Sequence, residues 1–254
     1  MILCVDIGNT NTTCALFEGR KIRARFRLQS EIGLTPDELG ARLAAILKLY
    51  DLSFEDLGEI LLASVVPPLT SVWVEMSRKY LRISPRIPRP ENLGITVKLR
   101  TPSEVGIDRV LNALAGWEKY RSNLIVVDYG TATTFDCISE KGEYLGGAIA
   151  PGILLAAESL FQKTSMLPRV ELFTLPPEII GKDTFSALKS GLLYGFAALT
   201  DGLIAKMALE FEKKPRVIAT GGLAPLMQRL SYQIERVEPD LTLEGLLYWF
   251  EKSP

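Results

Sequence analysis

Val127-Asp128-Tyr129-Gly130-Thr131-Ala132 repeats, about half a chain later, the pattern of Val5-Asp6-Ile7-Gly8-Asn9-Thr10. At both places an apolar run closes on hydrophobic–Asp–x–Gly, and Thr-rich strand sequence with a Gly-containing turn follows. Around the first copy, β-branched runs bounded by Gly and Asn predict strands at 2–6, 12–17 and 21–28, an antiparallel meander. The run Leu124-Ile125-Val126-Val127 starts a second one. No period of 20–50 residues is visible, so the chain reads as two related halves rather than a solenoid. Its 254 residues, at roughly 150 per domain, allow one large domain or two packed halves. The division predicted here is 1–115 and 116–254.

Between the copies, Thr35-Pro36-Asp37-Glu38 is a capping box with proline at the first helical position, launching an amphipathic helix to about residue 50. The apolar run 60–66 fits a buried strand ended by Pro67-Pro68, with a helix over about 70–80. The Pro-rich, basic stretch 84–102 predicts a loop or a pair of short edge strands. A helix follows over 103–120. Beyond the second meander, helices are expected from about 153 and over 184–210, and 217–222 reads as a strand and tight turn. Trp73, Trp117 and Trp249 fall on apolar helical faces and read as core or interface residues.

Charge and composition narrow the function classes. Lys and Arg number 29 against 30 Asp and Glu, a net charge of −1, which argues against a protein built to hold phosphate backbones. Lys21, Arg23, Arg25 and Arg27 share one face of the third strand and read as a solvated face rather than a nucleic-acid stripe. The longest apolar stretches, 61–69 and 148–157, fall short of the 18 or so residues of a membrane span. With neither a basic n-region nor a cleavage site at its start, the chain is expected to be cytoplasmic, with no nucleic-acid and no membrane partner. Three cysteines in apolar runs, Cys4, Cys14 and Cys137, imply no disulfide framework. There is no histidine, so any proton transfer must use carboxylate, Lys, Tyr, Cys or water.

Asp-x-Gly-x-Thr after a buried strand can cradle phosphate: the glycine lets backbone N–H groups approach anionic oxygens, and Asn and Thr add donors. The aspartate is then placed to hold a hydrated Mg²⁺. A single copy is equally a hairpin turn, but two copies half a chain apart favour the phosphate reading. Thr220-Gly221-Gly222 after an apolar strand fits either a ligand-approaching turn or a plain tight connection.

Taken together, these three motifs resemble the nucleotide cleft of the acetate/sugar kinase–Hsp70–actin superfamily. That resemblance implies an α/β fold of two duplicated ribonuclease H-like domains, mixed sheets flanked by helices, with ATP bound between them. Five motifs in order, Asp6-Ile7-Gly8-Asn9-Thr10, Gly106-Ile107-Asp108-Arg109, Asp128-Tyr129-Gly130-Thr131-Ala132-Thr133-Thr134, Gly146-Gly147-Ala148-Ile149-Ala150-Pro151-Gly152 and Gly181-Lys182-Asp183-Thr184, resemble type III pantothenate kinase. The resemblance implies ATP-dependent phosphorylation of pantothenate to 4'-phosphopantothenate, the first step of coenzyme A synthesis, by a homodimer using Mg²⁺ and a monovalent cation, K⁺ or NH₄⁺. It assigns Asp6, Ile7, Gly8, Asn9, Thr10, Asn11, Thr12 and Thr13 to the ATP phosphates, Asp6 also to Mg²⁺, and Thr131 and Gly221 to ATP. Asp128 would hold the monovalent cation. Gly106, Ile107, Asp108 and Arg109 would line the pantothenate pocket with Asp108 as proton acceptor, and Thr184 would bind pantothenate. Family members often carry an aromatic contact before the second motif; Val97-Lys98-Leu99-Arg100 has none.

A carboxylate suits the acceptor role, because phosphoryl transfer to a hydroxyl needs positioning, charge neutralisation and late removal of a proton. At the start of a helix and beside Arg109, Asp108 is expected to have a lowered pKa; its other reading is an acid stabilising its own helix. Arg109 fits the pantothenate carboxylate, the moving phosphoryl group or a surface ion pair. Thr184 could hold an anion or cap its helix. Asp136 is expected to end its strand, and Glu104 to be a helix-start acid. Two other functions compete: a kinase of another small alcohol on the same fold, and a non-enzymatic transcriptional accessory factor using the basic strand, which predicts salt-sensitive nucleic-acid binding.

Overall fold

Leu3, Cys4, Val5 and Ile7 are all buried, and burial on both faces makes β1 (Ile2–Ile7) a central strand. It pairs antiparallel with β2 (Asn11–Glu18), which pairs antiparallel with β3 (Lys21–Gln29). On its other side β1 pairs parallel with β4 (Glu59–Ser64), giving the order β3-β2-β1-β4. In the computed structural model, which describes residues 1–252, this sheet belongs to one of two compact units. The first comprises Met1–Ile95, Arg100–Ala115 and the described residues from Thr242 on; the second comprises Thr96–Leu99 and Gly116–Leu241.

The second unit repeats the arrangement. Here β6 (Leu124–Tyr129) pairs antiparallel with β7 (Ala132–Ile138), β7 antiparallel with β8 (Glu143–Pro151), and β6 parallel with β9 (Arg216–Thr220). The order β8-β7-β6-β9 matches that of the first sheet; β10 (Arg236–Val237) and β5 (Thr96–Val97) extend its edges. Even the aspartates correspond: Asp6 pairs with Thr13 and Ala63, and Asp128 with Thr134 and Thr220. The duplication read from the two Asp-x-Gly segments is thus a duplication of topology and register.

In the first unit the sheet packs on Leu39, Leu43 and Leu47 of α1 (Pro36–Lys48) and on Trp73 and Met76 of α2 (Pro67–Met76). The capping box at Thr35 is present in full. Helix α2 starts at Pro67, earlier than the pattern suggests, because proline at the first helical position lacks an N–H that would be orphaned there anyway. In the second unit Ile125, Val127 and Phe135 meet Ile153 of α4 (Ile153–Lys163) and Leu192, Leu193 and Ala197 of α5 (Thr184–Ala208). Among the described residues no helix is long and apolar enough to cross a membrane.

The units differ from a division at 1–115 and 116–254 in two places. Residues 96–99 leave the Pro-rich stretch to pair with β8, and the described residues from Thr242 on belong to the first unit. The second difference has a packing cause: Gly245 of α7 (Leu241–Lys252) lies against the Leu111 backbone of α3 (Ile107–Tyr120). Beside it the buried Asn112 amide oxygen accepts the Thr242 hydroxyl at 2.8 Å. Trp73 and Trp249 are buried as expected, while Trp117 is half-buried under Arg121. Asp136 lies inside β7 rather than at its end, fully buried, where the Tyr144 hydroxyl (2.7 Å) and the Thr134 hydroxyl (3.2 Å) donate to its carboxylate. Glu104 sits in a 3-10 turn, Pro102–Glu104, ahead of α3.

Candidate active site

In the first unit, the turn between β1 and β2 is closed by Gly8 N–H donating to Asn11 C=O at 3.0 Å. A side chain at position 8 would press on that same oxygen at 3.1 Å, which is why glycine suits the turn. Asn9, Thr10 and Asn11 are exposed, Asp6 and Thr13 are half-buried, and Ile7 and Thr12 are buried. The eight residues expected to meet ATP phosphates therefore divide into an open tip and a fixed base. Ser30, just past β3, belongs to that base: its hydroxyl donates to Gly8 C=O at 2.7 Å and lies 3.0 Å from the Thr12 hydroxyl. Its N–H donates to Thr10 C=O at 3.1 Å. No motif includes Ser30; only the pairing of Asn11 with Gln29 brings it here.

The second unit builds a related turn with different supports. Gly130 N–H donates to Ala132 C=O at 3.0 Å, leaving Thr131 exposed. Gly152 passes so close that a Cβ there would run into the Thr131 and Gly130 carbonyls. Gly221, at φ +91°, lies beside the end of β6: a Cβ would sit 2.6 Å from both Asp128 Oδ1 and Tyr129 C=O. The structure thus brings Asp128, Thr131, Gly152 and Gly221 together. Tyr129 is tied below them, its hydroxyl 2.8 Å from that of Thr200 on α5.

Gly106 and Asp108 form a third feature, at the head of α3. Arg109 N–H donates to Gly106 C=O at 3.1 Å and also to Asp108 Oδ1 at 2.9 Å. The carboxylate folds back over Gly106, where any Cβ would collide with Oδ1; Ile107 is buried behind it. The expectation of a lowered pKa is overturned. Burial raises the Asp108 pKa above its usual value, outweighing the Arg109 N–H and the Arg109 charge, which both lower it. Backbone N–H groups at the helix start still favour the charged form, but here desolvation is the larger effect.

Thr184 opens α5 but does not cap it. Asp183 is the cap, accepting Ser186 N–H at 2.8 Å in a reciprocal arrangement with the Ser186 hydroxyl. Thr184 stays exposed and borders an open apolar cavity of about 510 Å³ with Leu160, Leu167, Ala187, Leu188 and Leu192. It stands sixteen residues before Thr200, roughly 24 Å along the helix axis, so α5 holds it away from the Asp128 cluster.

With this geometry in place, comparison with known proteins is direct. The family model for type III pantothenate kinase matches residues 2–206. The type III pantothenate kinase of Desulfosudis oleivorans is 46% identical over 247 residues, 97% of this chain and 97% of its own. Among solved structures, a Campylobacter jejuni protein assigned to the Baf family of transcriptional activators aligns over 98% of both chains with a TM-score of 0.63 at 18% identity. The inorganic polyphosphate/ATP-glucomannokinase of Arthrobacter aligns over 99% of both with a TM-score of 0.51 at 12% identity. At such identities the two structures speak for the fold alone.

Proposed function

The chain belongs to the type III pantothenate kinase family, and from that premise we infer that it transfers the γ-phosphoryl group of ATP to the primary hydroxyl of pantothenate. The product is 4'-phosphopantothenate, at the first step of coenzyme A synthesis. The observation that carries this reading is identity of 46% spanning 97% of both chains.

We propose the following division of labour. The turn of Asp6 to Thr13 is assigned to the ATP phosphates, and Thr131 and Gly221 to ATP. Gly106 to Arg109 and Thr184 receive pantothenate. Asp108 accepts the hydroxyl proton as the new O–P bond forms and the bond to the β,γ-bridging oxygen breaks. Its raised pKa makes it a stronger base than an ordinary aspartate. To Arg109, beside it, we assign the pantothenate carboxylate.

The residues present fit both expected ions. Among the described residues no group of three or more His, Cys, Asp or Glu side chains gathers to cage a metal; Asp6 is then a single carboxylate, which suits Mg²⁺ held largely by phosphate oxygens and water. When bound with ATP, Mg²⁺ neutralises charge on the transferring phosphates. For the monovalent cation, Asp128 Oδ1 and Tyr129 C=O lie close together beside the bare backbone of Gly221, where a Cβ would crowd both oxygens. An all-oxygen cradle with a single carboxylate suits K⁺ or NH₄⁺. A homodimer is supported by the apolar side chains left exposed on α4 and α5, Leu154, Leu155, Phe161, Phe185 and Leu199.

The test is product formation from ATP and pantothenate by the purified chain, with and without K⁺, beside Asp108→Asn. K⁺-dependent product that disappears in folded Asp108→Asn is the expected outcome. Absence of product from the folded wild-type chain with Mg²⁺ and either cation would overturn the assignment.

A further inference from the structure

We propose that Ser30 is a positioning residue for phosphoryl transfer, which sets the phosphate-binding turn by orienting two of its peptide planes. The proposal rests on reading Asp6 to Thr13 as the phosphate turn.

A serine hydroxyl has one hydrogen, and that of Ser30 goes to Gly8 C=O at 2.7 Å. In the 3.0 Å contact between the Ser30 and Thr12 hydroxyls, Thr12 must therefore be the donor. The result is a directed relay, Thr12 O–H to Ser30 Oγ and Ser30 O–H to Gly8 C=O, anchored on a threonine that is 2% exposed. Linked bonds of this kind polarise one another. Through its backbone Ser30 makes one more bond, donating N–H to Thr10 C=O at 3.1 Å.

Ser30 thus draws the carbonyls of Gly8 and Thr10 toward itself. A trans peptide is planar, with its N–H antiparallel to its C=O. The Asn9 and Asn11 N–H groups are consequently turned away from Ser30, at the tip where Asn9, Thr10 and Asn11 are exposed. Backbone N–H groups held in this way make an anion-binding concavity. The backbone bond survives any substitution except proline; the hydroxyl bond does not. In Ser30→Ala the Gly8 carbonyl and the buried Thr12 hydroxyl both lose their partner, and the 8–9 peptide is free to rotate. The ligand affected is the one with phosphates at that tip, not the alcohol.

The experiment compares wild type, Ser30→Ala, Ser30→Thr and Asp6→Asn in the full chain. It measures KM for ATP and for pantothenate, and calorimetric affinity for a non-hydrolysable ATP analogue and for adenosine. Loss of one such bond predicts about three- to tenfold weaker ATP and analogue binding in Ser30→Ala. Adenosine affinity and pantothenate KM should be unchanged, and Ser30→Thr should restore ATP binding. Equal weakening toward all ligands would reduce Ser30 to a folding role and overturn the proposal, as would wild-type ATP affinity in Ser30→Ala. If Asp6→Asn is impaired while Ser30→Ala is not, the phosphate turn stands and the role of Ser30 falls. If neither variant differs from wild type, the turn itself has been misread and both fall.

Discussion

Replacing Asp108 with Asn should separate stability from activity in opposite directions. Asn keeps an oxygen where Oδ1 accepts Arg109 N–H at 2.9 Å, and it fits the same space over Gly106, so the head of α3 is retained. What disappears is a charge whose burial raises the folded-state pKa. A carboxyl with a raised folded-state pKa binds its proton more tightly when folded than when unfolded. Its contribution to stability is therefore fully present below the unfolded value of about 4 and is lost as pH rises through the folded value. Asp108→Asn should then melt higher than wild type at pH 7, and the gap should close as pH falls toward 4. Activity should move the other way: loss of a positioned general base costs about 10²- to 10⁴-fold in kcat, or ~3–5 kcal/mol of transition-state stabilisation. Thermal melts over pH 4–8 and steady-state kinetics at saturating ATP measure both. A variant that melts lower at pH 7, or a gap that does not change with pH, would refute the desolvation argument. A kcat within a few-fold of wild type would refute the base.

Two further expectations concern packing. Gly221→Ala puts a methyl group 2.6 Å from Asp128 Oδ1 and Tyr129 C=O at a φ of +91°, a conformation costing a non-glycine residue about 1–3 kcal/mol. The K⁺ concentration for half-maximal activation should rise sharply; an unchanged K⁺ titration would show that this cradle holds no cation. Trp73→Ala empties a side chain that is 2% exposed in the first core and should cost about 3–5 kcal/mol in chemical denaturation; a loss under about 1 kcal/mol would mean that the site collapses or that the tryptophan is not a core anchor.

Much of this was legible in order along the chain. Strands and helices announce themselves through local periodicity and caps, as the Thr35 capping box and the two meanders do, because the physical causes lie within a few residues of one another. The duplication was legible for the same reason: each Asp-x-Gly segment is a local device, and two copies imply two sheets. Two features were not legible. Helix α7 packs with the first unit because Gly245 lets it approach Leu111 and Thr242 satisfies buried Asn112, residues more than a hundred positions apart. The sign of the Asp108 shift depends on how much water the fold removes from a carboxylate, which no helix-end rule contains.

Composition and motif order by themselves determined the α/β class, the repeat, the absence of imidazole chemistry and the family. Tertiary structure alone decided which backbone groups those motifs expose. Ser30 reaches the first turn only across a sheet register, and Gly221 meets Asp128 only because β9 lies parallel to β6. Motifs record which side chains are available to a site; strand pairing and burial, which act between residues far apart in the chain, set the geometry and charge with which they meet a ligand.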